Sequence, residues 1–127
     1  MKAKGISRSD ERPEGVTFTE DEVSFLTQSR LARVATASRD GQPHVVPVVY
    51  EFDGMAFYFT GWNLERTLKF RNLAENKRVA IVIDELVTVC PWRPRGIELR
   101  GEAELEKEDG RPYVKVTPKI KRSWGFR

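Results

Sequence analysis

The stretch FYFTGWNLERTLKFRNLAENKRVAIVID, residues 57–84, decides the fold. Its first four residues are aromatic or β-branched and favour a strand. Gly61 and Asn63 then form a polar turn. Residues 64–76 are rich in Leu, Glu, Arg, Lys and Ala, which favours a helix capped by Asn63. The apolar run at 79–83 is typical of a strand covered on both faces. The stretch therefore predicts a strand, a turn, a helix and a second strand.

The turn before this helix is a candidate anion site. The first N–H groups of a helix lack intrahelical partners and carry partial positive charge, which favours phosphate. Lys69 lies about 9 Å along the axis if the helix begins at Leu64, and it reaches the turn only if the first regular turn begins nearer Arg66. A solvated basic helix face is the alternative interpretation. The polar and charged side chains at this candidate anion site are Thr60, Asn63, Arg66, Thr67 and Lys69.

Length and composition predict one globular domain. The chain has 127 residues, of which 39% are hydrophobic, and this is enough for one core but not for two. Its 22 Lys and Arg residues and 19 Asp and Glu residues give a formal net charge of +3, which is too mild to indicate a nucleic-acid partner. No apolar run approaches the roughly 20 residues that cross a bilayer, and no signal-peptide core is evident. We therefore expect a cytoplasmic protein with no membrane partner.

The rest of the chain predicts one more helix and several strands. Residues 1–16 read as a flexible arm, after which Thr19 and Glu22 form a capping box for a helix that ends near Ser29. Alternating strands at 31–38, 43–52 and 55–60 are separated by Asp-Gly turns, and Pro47 is expected at an edge or a bulge. Because antiparallel strands of this number tend to close and hide their edges, we expect a small β-barrel with two helices. Further strand segments are predicted at 78–84, 86–90, 97–105 and 113–117, with an irregular excursion at 91–96 and a basic tail at 118–127.

Side chains that commonly carry catalysis or bind metals are scarce. His44 is the single histidine and Cys90 the single cysteine, which excludes multi-histidine and cysteine-based metal sites. The acidic residues that alternate along 97–105 are expected on a solvated strand face. The sequence therefore predicts no metal and no catalytic side chain, and any redox chemistry requires a bound cofactor.

Five short segments, in this order and spacing, resemble the pyridoxamine 5'-phosphate oxidase-like, FMN-binding split-barrel superfamily. They are LARVAT at 31–36, DGQPHVVPV at 40–48, FYFT at 57–60, KFRNL at 69–73 and NKRVA at 76–80. PWRPRGIE at 91–98 and SWG at 123–125 further resemble a subgroup of coenzyme F420-dependent (deazaflavin) enzymes of that class. The resemblance implies a mainly β fold, a six-stranded antiparallel split β-barrel with two short helices over residues 17–127. It also implies a homodimer with a cofactor in each cleft between the subunits.

The resemblance also implies site residues. In that family the cofactor phosphate is held by the end of the aromatic-Thr strand and by a lysine of the following helix. These positions correspond to Phe59, Thr60 and Lys69, with Asn63 and Thr67 as helpers, so the implied site and the candidate anion site coincide. Aromatic and basic residues are implied to flank a flat ring or to meet an anionic tail, with packing and solubility as their alternative roles. They are Trp62, Trp92, Arg93, Arg95, Lys119, Lys121, Arg122 and Trp124.

The chain also departs from the FMN-bound oxidases. It has Val46, Glu51 and Gly96 where those enzymes have Arg, Lys and Gln, and it lacks their C-terminal Arg-x-His motif. These departures argue against oxidation of pyridoxamine 5'-phosphate itself. The resemblance implies an oxidoreductase that transfers a hydride from reduced F420, or from FMN, to a small conjugated or heteroaromatic substrate. A non-catalytic flavin- or tetrapyrrole-binding module is the alternative.

Overall fold

Six antiparallel strands close into a barrel in the computed structural model, which describes residues 15–126. The order around the barrel is β1-β2-β3-β6-β5-β4. The predicted six-stranded antiparallel barrel with two short helices is confirmed. The elements are α1 (Glu20–Gln28), β1 (Leu31–Ala37), β2 (Pro43–Phe52), β3 (Phe57–Phe59), a 3-10 helix (Leu64–Arg66), α2 (Leu68–Glu75), β4 (Arg78–Thr88), β5 (Arg93–Glu108) and β6 (Arg111–Trp124).

Two expectations concern the ends of the chain and its relation to membranes. All but the last two residues of the arm predicted at 1–16 lie outside the described residues. Within residues 15–126, no helix is both long and apolar enough to cross a bilayer.

Large apolar side chains fill the inside of the barrel. The most deeply buried ones are at most 2% exposed, and they come from every strand except β2, from α1 and from both helical segments that follow β3. Full burial of such a side chain contributes about 1.5–3 kcal/mol, which makes this core the main source of stability. It includes Leu26, Val34, Phe57, Phe59, Leu64, Leu73, Ile81, Leu99 and Val114.

Helix α1 is attached to β2 of the barrel, and it begins with the predicted capping box. Thr19 Oγ1 accepts a hydrogen bond from the amide of Glu22 (3.1 Å), and the Thr19 amide donates to Glu22 Oε1 (3.0 Å), which completes the capping box. The hydroxyl of Tyr50 on β2 donates to the carbonyl of Leu26 (2.6 Å). Burial raises the pKa of Tyr50 to about 12, so this hydroxyl stays protonated and keeps the helix attached to the sheet.

The last strands are longer than predicted. The segment predicted at 86–90 belongs largely to β4, residues 93–96 of the expected excursion begin β5, and residues 118–124 of the expected tail continue β6. A register shift opposite Arg100 and Gly101 allows Pro118 to stay within β6 although it cannot donate a ladder hydrogen bond. A Cβ at Gly101 would lie 2.0 Å from the carbonyl oxygen of Thr117. The glycine therefore makes this bulge possible.

The barrel is split where β3 is short. β3 pairs only with residues 50–52 of β2, whereas β1 pairs with β2 from Leu31 opposite Val49 to Ala37 opposite Pro43. Among residues 15–126, Pro47 consequently pairs with β1 on one side and with no strand on the other, which suits its missing N–H. This opening between β2 and β3 is where the candidate site lies.

Candidate functional site

The chain between β3 and α2 differs from the single helix predicted at 64–76. Asn63 has a left-handed backbone (φ 55°) and makes no capping hydrogen bond. The cap is Thr67, which is extended and accepts a hydrogen bond from the amide of Phe70 (3.3 Å). Helix α2 therefore begins at Leu68, and Lys69 lies only about 3 Å along the axis from Thr67. The later start brings the Lys69 side chain to the turn.

A small cavity of about 360 Å³ lies at the split between β2 and β3. Lys69 enters it from α2, and Thr60 and Gly61 bound it at the end of β3. Within residues 15–126, no hydrogen bond or ion pair involves the Lys69 ammonium. Partial burial lowers the pKa of Lys69, because desolvation disfavours the charged form. An anion placed in this cavity would compensate that cost.

The floor of the small cavity is aromatic. Phe59 contributes one wall of the cavity. It also belongs to the core, because it is only 1% exposed. The Tyr58 hydroxyl donates to Asp53 Oδ2 (2.9 Å). Burial, together with the neighbouring Asp53 carboxylate, raises the pKa of Tyr58 well above its usual value. Tyr58 is thus a neutral wall rather than a proton donor.

Thr67 and Asn63 have different positions from those of Thr60 and Lys69. The Thr67 hydroxyl donates to the carbonyl of Leu64 (2.6 Å) while it caps α2, and Thr67 lines neither cavity described here. Asn63 lines the second, larger cavity. The structure therefore brings Phe59, Thr60 and Lys69 together, with Asn63 beside them and Thr67 as the residue that orients the helix.

A larger cavity of about 900 Å³ shares Glu51, Thr60 and Gly61 with the small one. One of its walls is the 3-10 helix, with Glu65 and Arg66. The opposite wall is the turn between β5 and β6, which has the left-handed residue Asp109. The sequence does not predict this cavity, because its walls come from segments about 45 residues apart that meet through the pairing of β3 with β6.

The remaining predicted cofactor residues, Trp92, Arg93, Arg95 and Trp124, line neither cavity of the same chain. Phe59 pairs with Val114 on β6, whereas Trp124 lies ten residues further along that strand, about 33 Å at 3.3 Å per residue. Trp124 pairs with Gly96 near the start of β5. Arg93 and Arg95 also lie there, and Trp92 is 68% exposed in the adjoining turn between β4 and β5. Within one chain the structure does not join these residues to the Lys69 cavity.

Two of the basic residues near that end already have partners. Arg95 donates to Glu85 Oε2 from two nitrogens (3.1 and 2.7 Å), and its guanidinium lies 5.1 Å from the ring centroid of Phe25. Lys121 donates to Glu22 Oε1 (2.6 Å). Both cations therefore hold the folded chain together, in addition to any role toward a ligand.

The packing around residue 96 explains why this position is a glycine. A Cβ at this position would lie 2.6 Å from Trp124 Cζ2 and 2.7 Å from Asp84 Cβ. Any side chain here would displace the indole ring, so the glutamine of the FMN-bound oxidases does not fit. The indole ring of Trp124 can occupy its position because residue 96 has no side chain.

Comparisons with known proteins agree with this architecture. Residues 18–125 match the protein family described as pyridoxamine 5'-phosphate oxidase. A 5a,11a-dehydrotetracycline/5a,11a-dehydrooxytetracycline reductase from Streptomyces rimosus subsp. rimosus is 33% identical over 119 residues, which cover 86% of this chain and 84% of the relative. A solved structure of a conserved hypothetical protein from Mycobacterium tuberculosis superposes with a TM-score of 0.72 at 23% identity, over 92% of this chain and 90% of that one. The structure of an F420 reductase superposes with a TM-score of 0.67 at 22% identity, over 83% and 98% of the two chains.

Proposed function

The chain belongs to the pyridoxamine 5'-phosphate oxidase family, and from this premise we propose that it is a reductase that uses a phosphate-bearing flavin or deazaflavin. The single observation that carries the proposal is the Lys69 ammonium, which is partly buried beside Thr60 and has no anionic partner within residues 15–126. A cofactor phosphate supplies that partner.

The residues of the small cavity fit such a group. Lys69 offers a charge and Thr60 offers a hydroxyl, and hydrogen bonds to charged groups contribute about 1.5–3 kcal/mol each. Gly61 leaves room beside them, because a Cβ there would meet only Leu64 Cδ1, at 3.8 Å. When bound, the cofactor supplies a hydride from its planar ring. The chain binds the phosphate and fixes the orientation of that ring.

Reduced F420 is the proposed cofactor, with FMN as the second candidate. The family's usual Arg and Lys are absent at Val46 and Glu51, which removes two cationic contacts to FMN. Solved structures with this fold include an F420 reductase and FAD-binding proteins, so the preference for the deazaflavin rests on the two missing cations.

The proposed reaction is reduction of a conjugated double bond in a small-molecule substrate, as in the dehydrotetracycline reductase relative. One carbon of the bond receives the hydride and the other receives a proton from water, so the substrate gains two electrons and two hydrogens. No side chain is assigned as the proton donor, because the two buried tyrosines that line the small cavity, Tyr50 and Tyr58, donate their hydroxyl hydrogens to the Leu26 carbonyl and to Asp53.

We propose that the site is completed by a second copy of the chain. Trp92, Arg93 and Trp124 line neither cavity within one chain, and in this proposal a partner subunit brings them to the site. The outer face of β2 carries exposed apolar side chains, with Val45 61% and Val49 70% exposed. Val49 also lines the small cavity, so this face is continuous with the site. A homodimer would bury both.

Titration of the purified protein tests the proposal. Oxidised F420 and FMN are added separately, and binding is followed by the quenching of cofactor fluorescence. Turnover is then measured with reduced F420 and 5a,11a-dehydrooxytetracycline. We expect saturable binding of F420 and substrate-dependent oxidation of its reduced form. Absence of binding to both cofactors would overturn the proposal, and binding without turnover of any conjugated acceptor would instead indicate a non-catalytic binding module.

A further inference from the structure

The larger cavity adjoins the proposed cofactor phosphate site through one shared strip, formed by Glu51, Thr60 and Gly61. We propose that this cavity is the substrate chamber and that its substrate is a drug-sized, multi-ring compound. The inference rests on the proposed function and names the substrate class of the same site. It replaces the expectation of a small heteroaromatic acceptor.

Size is the first argument. Ligand cavities span about 300–1,000 Å³ and bury most of a drug-sized ligand. The larger cavity, at about 900 Å³, is near the upper end of that range, and the small one, at about 360 Å³, is near the lower end. A single-ring acceptor would leave most of the larger cavity filled with water, and its position would not be fixed relative to the cofactor. A compound of several fused rings would fill it.

Charge is the second argument. Among residues 15–126, the lining of the larger cavity includes the acidic side chains of Glu65 and Asp109 and the guanidinium groups of Arg66 and Arg111. A compound that bears hydroxyl, carbonyl and amine groups finds both hydrogen-bond donors and hydrogen-bond acceptors on these walls.

The composition of the walls is the third argument. Leu64 and Pro112 supply apolar surface, and Tyr113 adds an aromatic ring. The Tyr113 ring lies 6.1 Å from that of Tyr58, which itself lines the small cavity. A pair of aromatic side chains thus stands between the two cavities. Fused rings pack well on aromatic surfaces, and the polar rim then fixes their orientation.

The test fills the chamber from two sides and measures binding without requiring turnover. Glu65→Trp adds bulk from the 3-10 helix, and Arg111→Trp adds bulk from the start of β6. Calorimetry measures the Kd of oxytetracycline, used as the multi-ring probe, with apo wild type and each variant. We expect the wild type to bind and both variants to bind about tenfold or more weakly. The Kd of F420 is expected to stay within about twofold of that of the wild type.

Matched controls place the same substitutions outside the cavity. Glu75→Trp lies on the exposed end of α2, and Arg39→Trp lies in the exposed turn between β1 and β2. Both should leave the oxytetracycline Kd unchanged. The inference is overturned if the wild type does not bind oxytetracycline, if neither cavity variant weakens binding, or if the cavity variants weaken F420 binding equally. A wild type that binds oxytetracycline but neither cofactor would refute the proposed function alone.

Discussion

The ammonium of Lys121 on β6 lies 2.6 Å from the Oε1 oxygen of Glu22 on α1, although the two residues are 99 positions apart. Ser123 donates to the other oxygen of the same carboxylate (2.7 Å), and Lys121 also donates to the carbonyl of Thr17 (2.7 Å). Glu22 is only 3% exposed. The first helix and the last strand are thus joined by a buried, charge-assisted cluster that lies next to Trp124.

Replacement of Glu22 by Gln should destabilise the fold. The substitution leaves the Lys121 ammonium without its carboxylate partner, and loss of one partner of a buried ion pair costs about 3–5 kcal/mol. The amide retains part of the hydrogen bonding, so we expect a loss of about 2–4 kcal/mol, measured by urea unfolding. Glu98→Gln is the matched control, because Glu98 forms an exposed pair with Arg100, and it should change stability by less than about 0.5 kcal/mol. Equal effects of the two variants would contradict the prediction.

The Glu22 carboxylate should make the stability of the fold sensitive to acid. Burial by itself raises the pKa of Glu22, but the hydrogen bonds from Lys121, the Thr19 amide and Ser123 outweigh it, and the net pKa lies below the usual 4.5. A carboxylate with a lowered folded-state pKa stabilises the fold above its unfolded pKa and loses that contribution as the pH falls through the folded pKa. Below about pH 4.5 the unfolding free energy of the wild type should therefore approach that of Glu22→Gln. A difference that stays constant from pH 7 to pH 3 would refute this assignment.

Glu22 also shows where sequence reasoning succeeds and where it stops. Its role in the capping box follows from the local spacing with Thr19, but its contact with Lys121 depends on how α1 packs against β6. Nothing in the local sequence reveals Glu22 or Glu85 as partners of Lys121 and Arg95, so the sequence leaves a cofactor tail and solubility as the roles of these two cations. The position of Lys69 beside Thr60 is implied by the family resemblance, whereas the local sequence allows it only if the helix begins late. That late start of α2 is not predictable from the sequence, because Thr67 replaces Asn63 as the cap only through the geometry of the 3-10 turn.

Replacement of Lys69 by Met should weaken cofactor binding without destabilising the apo-protein. The ammonium is partly desolvated and its pKa is lowered, so its charge opposes folding in full below the lowered pKa, and this opposition disappears as the pH rises from the lowered pKa to the pKa of the unfolded chain. We expect the F420 Kd to rise about 10- to 150-fold and the melting temperature at pH 7 to stay equal or to rise slightly. Lys77→Met, at an exposed position after α2, is the control. A fall in melting temperature with unchanged Kd would show that Lys69 is structural.

Thr60 and Thr67 should respond differently to replacement by Val. Thr60 is exposed and lines both cavities, so Thr60→Val should weaken F420 binding by about 0.5–1.5 kcal/mol with little change in melting temperature. Thr67 caps α2, so Thr67→Val should cost about 0.5–2 kcal/mol of folding stability, measured by urea unfolding. Its effect on F420 affinity should be smaller than that of Thr60→Val. The reverse pattern would exchange the two roles.

A charge on the outer face of β2 should both dissociate the dimer and weaken cofactor binding. Val45 is 61% exposed and lies opposite Ala35 of β1, on the same face as Val49 but outside both cavities. Val45→Asp would place a carboxylate in the proposed subunit interface, where desolvation of an unpaired charge costs several kcal/mol. We expect light scattering to give a dimer for the wild type and a monomer for the variant, and the monomer to bind F420 at least about tenfold more weakly. Ala74→Asp is the matched control, because Ala74 is an exposed apolar residue near the end of α2 and lines neither cavity, and it should remain dimeric. A monomeric Val45→Asp that keeps full F420 affinity would show that one chain holds the whole site, and that Trp92, Arg93 and Trp124 take no part in it.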